Sequence, residues 1–131
     1  MIKNEIIKSV TFSHSVMALN PDGIILVNCL DNFCYDVVHI KDMLKGYEEL
    51  IGNNKAPIMI IGQRYTTISA AARKFSATSE ATRFSKAEAF VIHSLAQRIL
   101  ANFYLKMDKP LVPTTFHTSI LSAEKWLKKF I

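Results

Sequence analysis

Short apolar runs alternate with helix-patterned segments along this chain, and that alternation constrains its fold more than any other feature. Pro57-Ile58-Met59-Ile60-Ile61 and Ala89-Phe90-Val91-Ile92 are wholly apolar. Each reads as a short strand buried on both faces. Between and after them lie segments with helical spacing. Val37, Ile40, Leu44, Tyr47 and Ile51 recur at steps of three and four across residues 37–53, which predicts a helix. Asp36 is the better N-cap, with a start after His39 as the alternative. Gly52-Asn53-Asn54 ends that helix. Strands and helices in alternation argue for an α/β layer fold with parallel strands.

The opening is different. Residues 6–19 read as one strand, with Val10, Phe12, His14, Val16 and Ala18 sharing a face. Asn20-Pro21-Asp22-Gly23 is a tight turn: proline presets φ at its second position and glycine accepts positive φ at its last. Ile24 to Leu30 returns as an antiparallel strand, giving a β-hairpin. Further on, Ser69 caps a helix through Ala70–Phe75, and Ser76–Phe84 either continues it or forms a second. Ser94-Leu95-Ala96-Gln97 is a capping box. It opens a helix expected to bury Ala96, Ile99, Leu100, Phe103 and Tyr104. Lys109–Pro113 is extended because each proline disfavours α geometry before it. Thr114–Phe116 is a fifth strand. Thr118 or Ser119 then caps a last helix with Ala123, Trp126, Leu127 and Phe130 inward. The expected fold is one domain, 1–131, of order β-β-α-β-α-β-α-β-α. It has a single mixed five-stranded sheet, an antiparallel hairpin followed by parallel strands, with helices packed against it.

Composition bounds the function. Half of the 131 residues are hydrophobic and 21% are charged, which excludes long disorder. Four glycines and four prolines exclude collagen-like and low-complexity chains. Two cysteines, Cys29 and Cys34, make no disulfide framework. No leader pattern stands at the N-terminus and no apolar run is long enough to cross a bilayer. The expectation is a cytoplasmic protein with reduced thiols and no membrane insertion. The net charge of +5 comes from scattered residues. Its tightest group, Lys125, Lys128 and Lys129, shares a helix with inward apolar residues, so nucleic-acid binding is not expected.

No motif names a reaction. G-x-S-x-G, P-loop and G-x-G-x-x-G patterns are absent. His93 and His117 each follow a predicted strand, at the edge where open α/β sheets place ligands. No third ligand is anchored beside them. Cys29, Cys34 and His39 stand in a C-x4-C-x4-H string, which is not a common zinc spacing. No catalytic residue, metal or cofactor is therefore expected. Arg64, Thr66, Thr67, Ser69 and Arg73 gather at one loop and helix start. There hydroxyls cap, or take up a phosphoryl group, and arginines hold an anion or make surface ion pairs.

From about residue 66 the chain resembles a family of small uncharacterised bacterial proteins of the STAS-like class, STAS being the sulfate-transporter and anti-sigma-factor-antagonist module. The pattern is Ile68-Ser69-x-x-Ala72-Arg73-x-Phe75, Ala87-x-Ala89, Ser94 opening a helix that ends in Asn102-Phe103, Lys109-Pro110-x-x-Pro113-Thr114 and Ala123-x-x-Trp126-Leu127. The resemblance implies a hairpin-first mixed sheet. It also implies either reversible protein–protein contact or, as in CRAL-TRIO-like relatives, the holding of a small apolar ligand. Antagonist-type domains carry an Asp-Ser pair where this chain reads Thr67-Ile68-Ser69. The leading expectation is a non-enzymatic STAS-like interaction module of a bacterial cytosol. Its surface is Arg64, Thr66, Thr67, Ser69 and Arg73, its partner is an unidentified protein, and it self-associates as a homodimer through an exposed edge strand. The alternative is a small apolar-ligand binding protein with a cleft at Phe75, Phe84, His93, Phe103, Tyr104 and His117.

Overall fold

In the computed structural model, which describes residues 6–131, the segment expected as one strand over 6–19 forms two. The first few residues read for a leader lie outside the described ones. β1 (Lys8–Thr11) and β2 (Ser15–Leu19) pair antiparallel across a turn at Ser13-His14. The N–H of Phe12 donates to the carbonyl of Ser15 at 2.8 Å. Neither turn residue takes a positive φ, so the reversal lacks the Asn-Gly chemistry that announces a hairpin. Side chains hold it instead. His14 is buried, with Nδ1 2.8 Å from the Ser15 hydroxyl and Nε2 3.0 Å from Asp42 Oδ2. Its ring stacks on Phe12 at 5.3 Å and meets the edge of Tyr35 at 5.8 Å. The Tyr35 hydroxyl donates to the carbonyl of His14 and accepts from the N–H of Leu30.

The main sheet accordingly has six strands rather than five. β3 (Ile25–Cys29) pairs antiparallel with β2, and β5 (Ala56–Ile61), β7 (Ser85–Val91) and β8 (Thr114–His117) continue in parallel, giving the order β1-β2-β3-β5-β7-β8. β1 is an edge, as expected. Two-residue strands β4 (Cys34–Tyr35) and β6 (Thr67–Ile68) form a small parallel ribbon apart from it.

The turn at 20–23 has the expected form. Gly23 has φ +84°, and the N–H of Gly23 donates to the carbonyl of Asn20 at 3.0 Å. The buried Asn20 side chain adds two bonds, accepting from the N–H groups of Asp22 and Ile24 at 3.0 Å each.

Strand alternation sends one set of side chains to each face. On the first face, Met17, Ile25, Val27 and Ile58 pack against helix α1 (Val37–Ile51). On the second, Met59, Ile61, Ala87, Ala89 and Val91 pack against helix α4 (Ile120–Leu127), which buries Ala123 and Leu127. Ser119 caps α4. Asp36 caps α1, its side chain accepting from the N–H of Val37 at 2.8 Å while Nδ1 of His39 accepts from the N–H of Asp36 at 2.9 Å. The buried stripe of α1 is Met43, Leu44, Gly46, Tyr47 and Leu50, turned slightly from the expected one. Gly46 causes the turn: a methyl there would lie 2.5 Å from Sδ of the fully buried Met17, so its absence lets α1 lie down on β2. On β2, Met17 is fully buried and Val16 is exposed.

Helix α2 (Ala70–Ser76) and helix α3 (Leu95–Phe103) complete the first face. α3 runs on into a π-turn at Tyr104–Asp108, which Lys109 ends at φ +53°. The expected inward face of α3 is only half right. Leu100, Ala101 and Tyr104 face inward, whereas Ile99 and Phe103 are exposed. Gln97 sets that rotation. Its amide donates to the carbonyls of Gln63 at 2.7 Å and Thr66 at 3.0 Å, and its oxygen accepts from the N–H of His93 at 2.7 Å. Ser94 caps as expected, accepting from the N–H of Gln97, but Gln97 reaches past the helix end to the neighbouring loop.

Replacing Asn20 removes both side-chain bonds in the turn at 20–23 and leaves the N–H of the fully buried Ile24 without its acceptor. Asn20→Ala is expected to cost about 1–3 kcal/mol, measured as a lower urea midpoint with an unchanged slope.

Candidate functional site

Three helices on one sheet face leave a space between them. Between α1, α2, α3 and the sheet lies a partly enclosed chamber of about 170 Å³. Its floor is Ile60, Phe90 and Phe116, the last two stacked at 4.9 Å. Ile40, Met43 and Leu44 of α1 form one wall, and Leu100 and Ala101 of α3 the other. Ala81 and Ala101 present only methyl groups here, which keeps the space open. The lip is the loop from Gly62 to Ile68. It is held by the Thr66 hydroxyl donating to the carbonyl of Leu30 at 2.7 Å and by the N–H of Tyr65 donating to Asp31 at 2.7 Å, besides the Gln97 bonds.

The lining includes polar side chains as well, Glu88 and Tyr104 among them. Glu88, on β7, is 5% exposed, and the Ser85 hydroxyl donates to its Oε2 at 2.6 Å. Burial pushes its carboxyl up to about 7 against that hydrogen bond. The Tyr104 hydroxyl is buried and has no hydrogen-bond partner among the described residues. Burial, then the nearby Glu88, raises it well above the ordinary tyrosine range. Tyr47 is raised by the same two causes. Burial also raises Cys29 to about 11 and Tyr35 to about 12. An orphaned buried hydroxyl costs about 1–3 kcal/mol, so the chamber is a place of deficit.

The residues expected at the loop and helix start are largely occupied by the fold itself. The Ser69 hydroxyl donates to Asp36 Oδ1 at 2.8 Å and accepts from the N–H of Ala72 at 3.1 Å. That hydroxyl and the N–H of Val37 hold the Asp36 carboxyl below its usual range. Arg73 pairs through Nε with Asp108 Oδ2 at 2.7 Å, both side chains largely buried, and lies over the Phe103 ring at 4.7 Å. Arg73, Thr66 and Thr67 border the chamber, while Arg64 is exposed over Tyr65.

The six residues expected as a cleft do not converge. Tyr104 lines the chamber. Phe84 packs edge-on to Tyr47 at 6.2 Å inside the α1 core, and Phe75 packs against the same core. Phe103 is outside. His93 is exposed, in a surface depression with Arg98 and Thr118. His117 is on the α4 side, bonded to Ser122 at 2.8 Å and Thr115 at 2.7 Å, with Trp126 6.1 Å away. Partial burial lowers its imidazole below the usual value. Among the described residues no three His, Cys, Asp or Glu side chains gather as a metal would require, and no helix is long and apolar enough to cross a membrane. Glu88 was missed by sequence reading. Its signal was a lone carboxylate inside Ala87-Glu88-Ala89-Phe90-Val91, where a strand buried on both faces has no solvated place for a charge.

Fold and chamber together define an α/β protein that has, among the described residues, a mixed six-stranded sheet and four α-helices, three of them over an apolar space. The chain belongs to the family described as "Domain of unknown function (DUF7793)", which matches residues 17–131. No curated protein and no solved structure matches it.

Glu88 couples the chamber to stability. Its carboxyl holds a proton up to about pH 7 in the folded chain, against an ordinary value of 4.5. Its contribution is therefore full below the ordinary value and is lost as pH rises through about 7. Glu88→Gln removes that loss. The variant is expected to be more stable than the parent at alkaline pH, by up to about 3 kcal/mol. Its advantage should shrink as the medium is acidified toward the ordinary carboxylate range. Thermal unfolding across that span measures it.

Proposed function

We propose that this chain is a non-enzymatic, STAS-like module of a bacterial cytosol that holds a small apolar molecule in the chamber. The observation that carries this reading is the chamber itself: about 170 Å³, walled largely by aliphatic and aromatic side chains, with a buried Tyr104 hydroxyl that has no partner among the described residues. A dry apolar cavity of about 150 Å³ is enough to take up benzene. The hairpin-first order of the sheet supports the STAS-like assignment. The internal bonds of Ser69 and Arg73 favour a structural over a switching role for that helix start.

The test is a titration with toluene followed by NMR of the side-chain methyl groups. Saturable shifts confined to Met43, Leu44, Leu100 and Ala101 are expected. Ala101→Phe, which fills the chamber, should abolish them while the fold persists. Shifts scattered over the surface, or none that saturate, would remove the reading.

A second reading, contact with another copy of the chain, is favoured by one further observation. Leu95, Ile99, Phe103 and Met107 stand four residues apart on the outer side of α3 and its π-turn, and all are exposed. Such a row is a common interface signature. Sedimentation should then show a dimer that Ile99→Asp dissociates. A monomer at every concentration would rule it out.

A further inference from the structure

We propose that the molecule held in the chamber is a small hydrophobic amine, its ammonium group paired with Glu88 and completed by the Tyr104 hydroxyl; this inference rests on the apolar-ligand reading above. The argument begins with charge. Glu88 sits between Ala87 and Ala89 with only the Ser85 hydroxyl bonded to it. Arg73, the cation on the same wall, is already neutralised by Asp108 at 2.7 Å. The carboxyl is thus the group in the chamber whose charge nothing in the described chain balances. A buried carboxylate in that position either keeps its proton or meets a cation.

Ligand classes separate on this point. A ligand carboxylate would place like charges together. A neutral alcohol would satisfy Tyr104 and leave the Glu88 charge unmatched. An ammonium group has three donors and no acceptor, which suits one carboxylate oxygen and one phenolic oxygen. The chamber volume, near that of a cavity that takes up benzene, limits the rest of the ligand to about one ring and a short tail.

The pH dependence of such binding has one source. The titratable and charged groups that line the chamber with Glu88 are Cys29 from β3, Tyr35 from β4, Tyr47 from α1, Arg73 from α2 and Tyr104 from the π-turn. Burial keeps the thiol and the three phenols neutral well above physiological pH, and arginine stays charged. Glu88 alone changes state near neutrality. Amine binding below that point therefore expels a proton from the carboxyl, and affinity rises with pH.

Calorimetric titration of the full chain with four matched probes tests this: phenethylamine, phenethyl alcohol, hydrocinnamate and ethylbenzene. The amine is expected to bind about tenfold or more tighter than the alcohol, with hydrocinnamate weakest. Its affinity should fall about tenfold between about pH 8 and about pH 6, while that of the alcohol stays flat. Glu88→Gln should bring the amine down to the level of the alcohol and leave ethylbenzene unchanged. Tyr104→Phe should cost the amine a smaller factor. Equal affinity for amine and alcohol, a flat pH profile for the amine, or an amine preference that survives Glu88→Gln would overturn the inference. Ethylbenzene would still bind in those cases, so the apolar-ligand reading would stand. Failure of all four probes to bind would overturn both. The wild-type pH series decides the matter without a variant.

Discussion

The carboxamide of Gln97 is the contact on which the architecture of the first sheet face depends. It bonds at once to the loop before α2, through the carbonyls of Gln63 and Thr66, and to the strand end, through the N–H of His93. An amide is suited to this because it carries donor and acceptor on one short planar group. The bonds fix how α3 is rolled about its own axis. With Gln97 turned toward the loop, Leu100, Ala101 and Tyr104 point at the sheet. Ile99 and Phe103 are then driven outward, although burying them would yield roughly 1.5–3 kcal/mol each. Rolling the helix would bury Ile99 and Phe103 only by turning out Leu100 and Tyr104, side chains of matching size, so apolar area alone does not choose between the two. The Gln97 bonds favour the roll that is seen.

Two further polar ties hold the neighbouring helix against the same space. Ser69 joins the start of α2 to the cap of α1 through Asp36. Arg73 joins the middle of α2 to the π-turn through Asp108. The second tie is largely buried, and such pairs contribute little net stability after desolvation. Their use lies in geometry: breaking one strands a charge, so the arrangement that satisfies both partners is strongly preferred over its neighbours. Together with Gln97 they set the separation of α1, α2 and α3, the dimension that hydrophobic packing alone would shorten.

Much of the fold was legible in the sequence, and the misses have local physical reasons. The buried strands at 57–61 and 89–92 were plain because a short, wholly apolar run has few other uses. The Asn20–Gly23 turn was plain because proline and glycine restrict φ in opposite ways. The reversal at Ser13-His14 was not, since it is stabilised by the packing of His14 against residues far along the chain. That is tertiary information. The roll of α3 was misread for the same reason: periodicity reports which residues are apolar, and Gln97, a polar residue, decides which of them go inside. Among the expected site residues, Tyr104, Thr66, Thr67 and Arg73 come to the chamber. His93 and His117 were singled out by their place after strands, a rule about strand ends that says nothing of which face a side chain takes.

Several locally unfavourable features meet at the chamber. A carboxylate stands in a strand buried on both faces, a helix loosens into a π-turn at Tyr104, and the Tyr104 hydroxyl has no partner among the described residues. Scattered through a domain, such features would read as ordinary imperfection. Gathered around one cavity, they depart from the consistency that the rest of the chain shows between pattern and structure. The stabilising material is the core under α1, which shares Met43, Leu44 and Tyr47 with the chamber wall, and the Ala87–Leu127 core under α4. Those two clusters offset the local cost, and they leave the polar groups of the chamber free to be satisfied by something from outside. The uncompensated carboxyl and the hydroxyl without a partner among the described residues set this cavity apart from one lined by aliphatic groups alone.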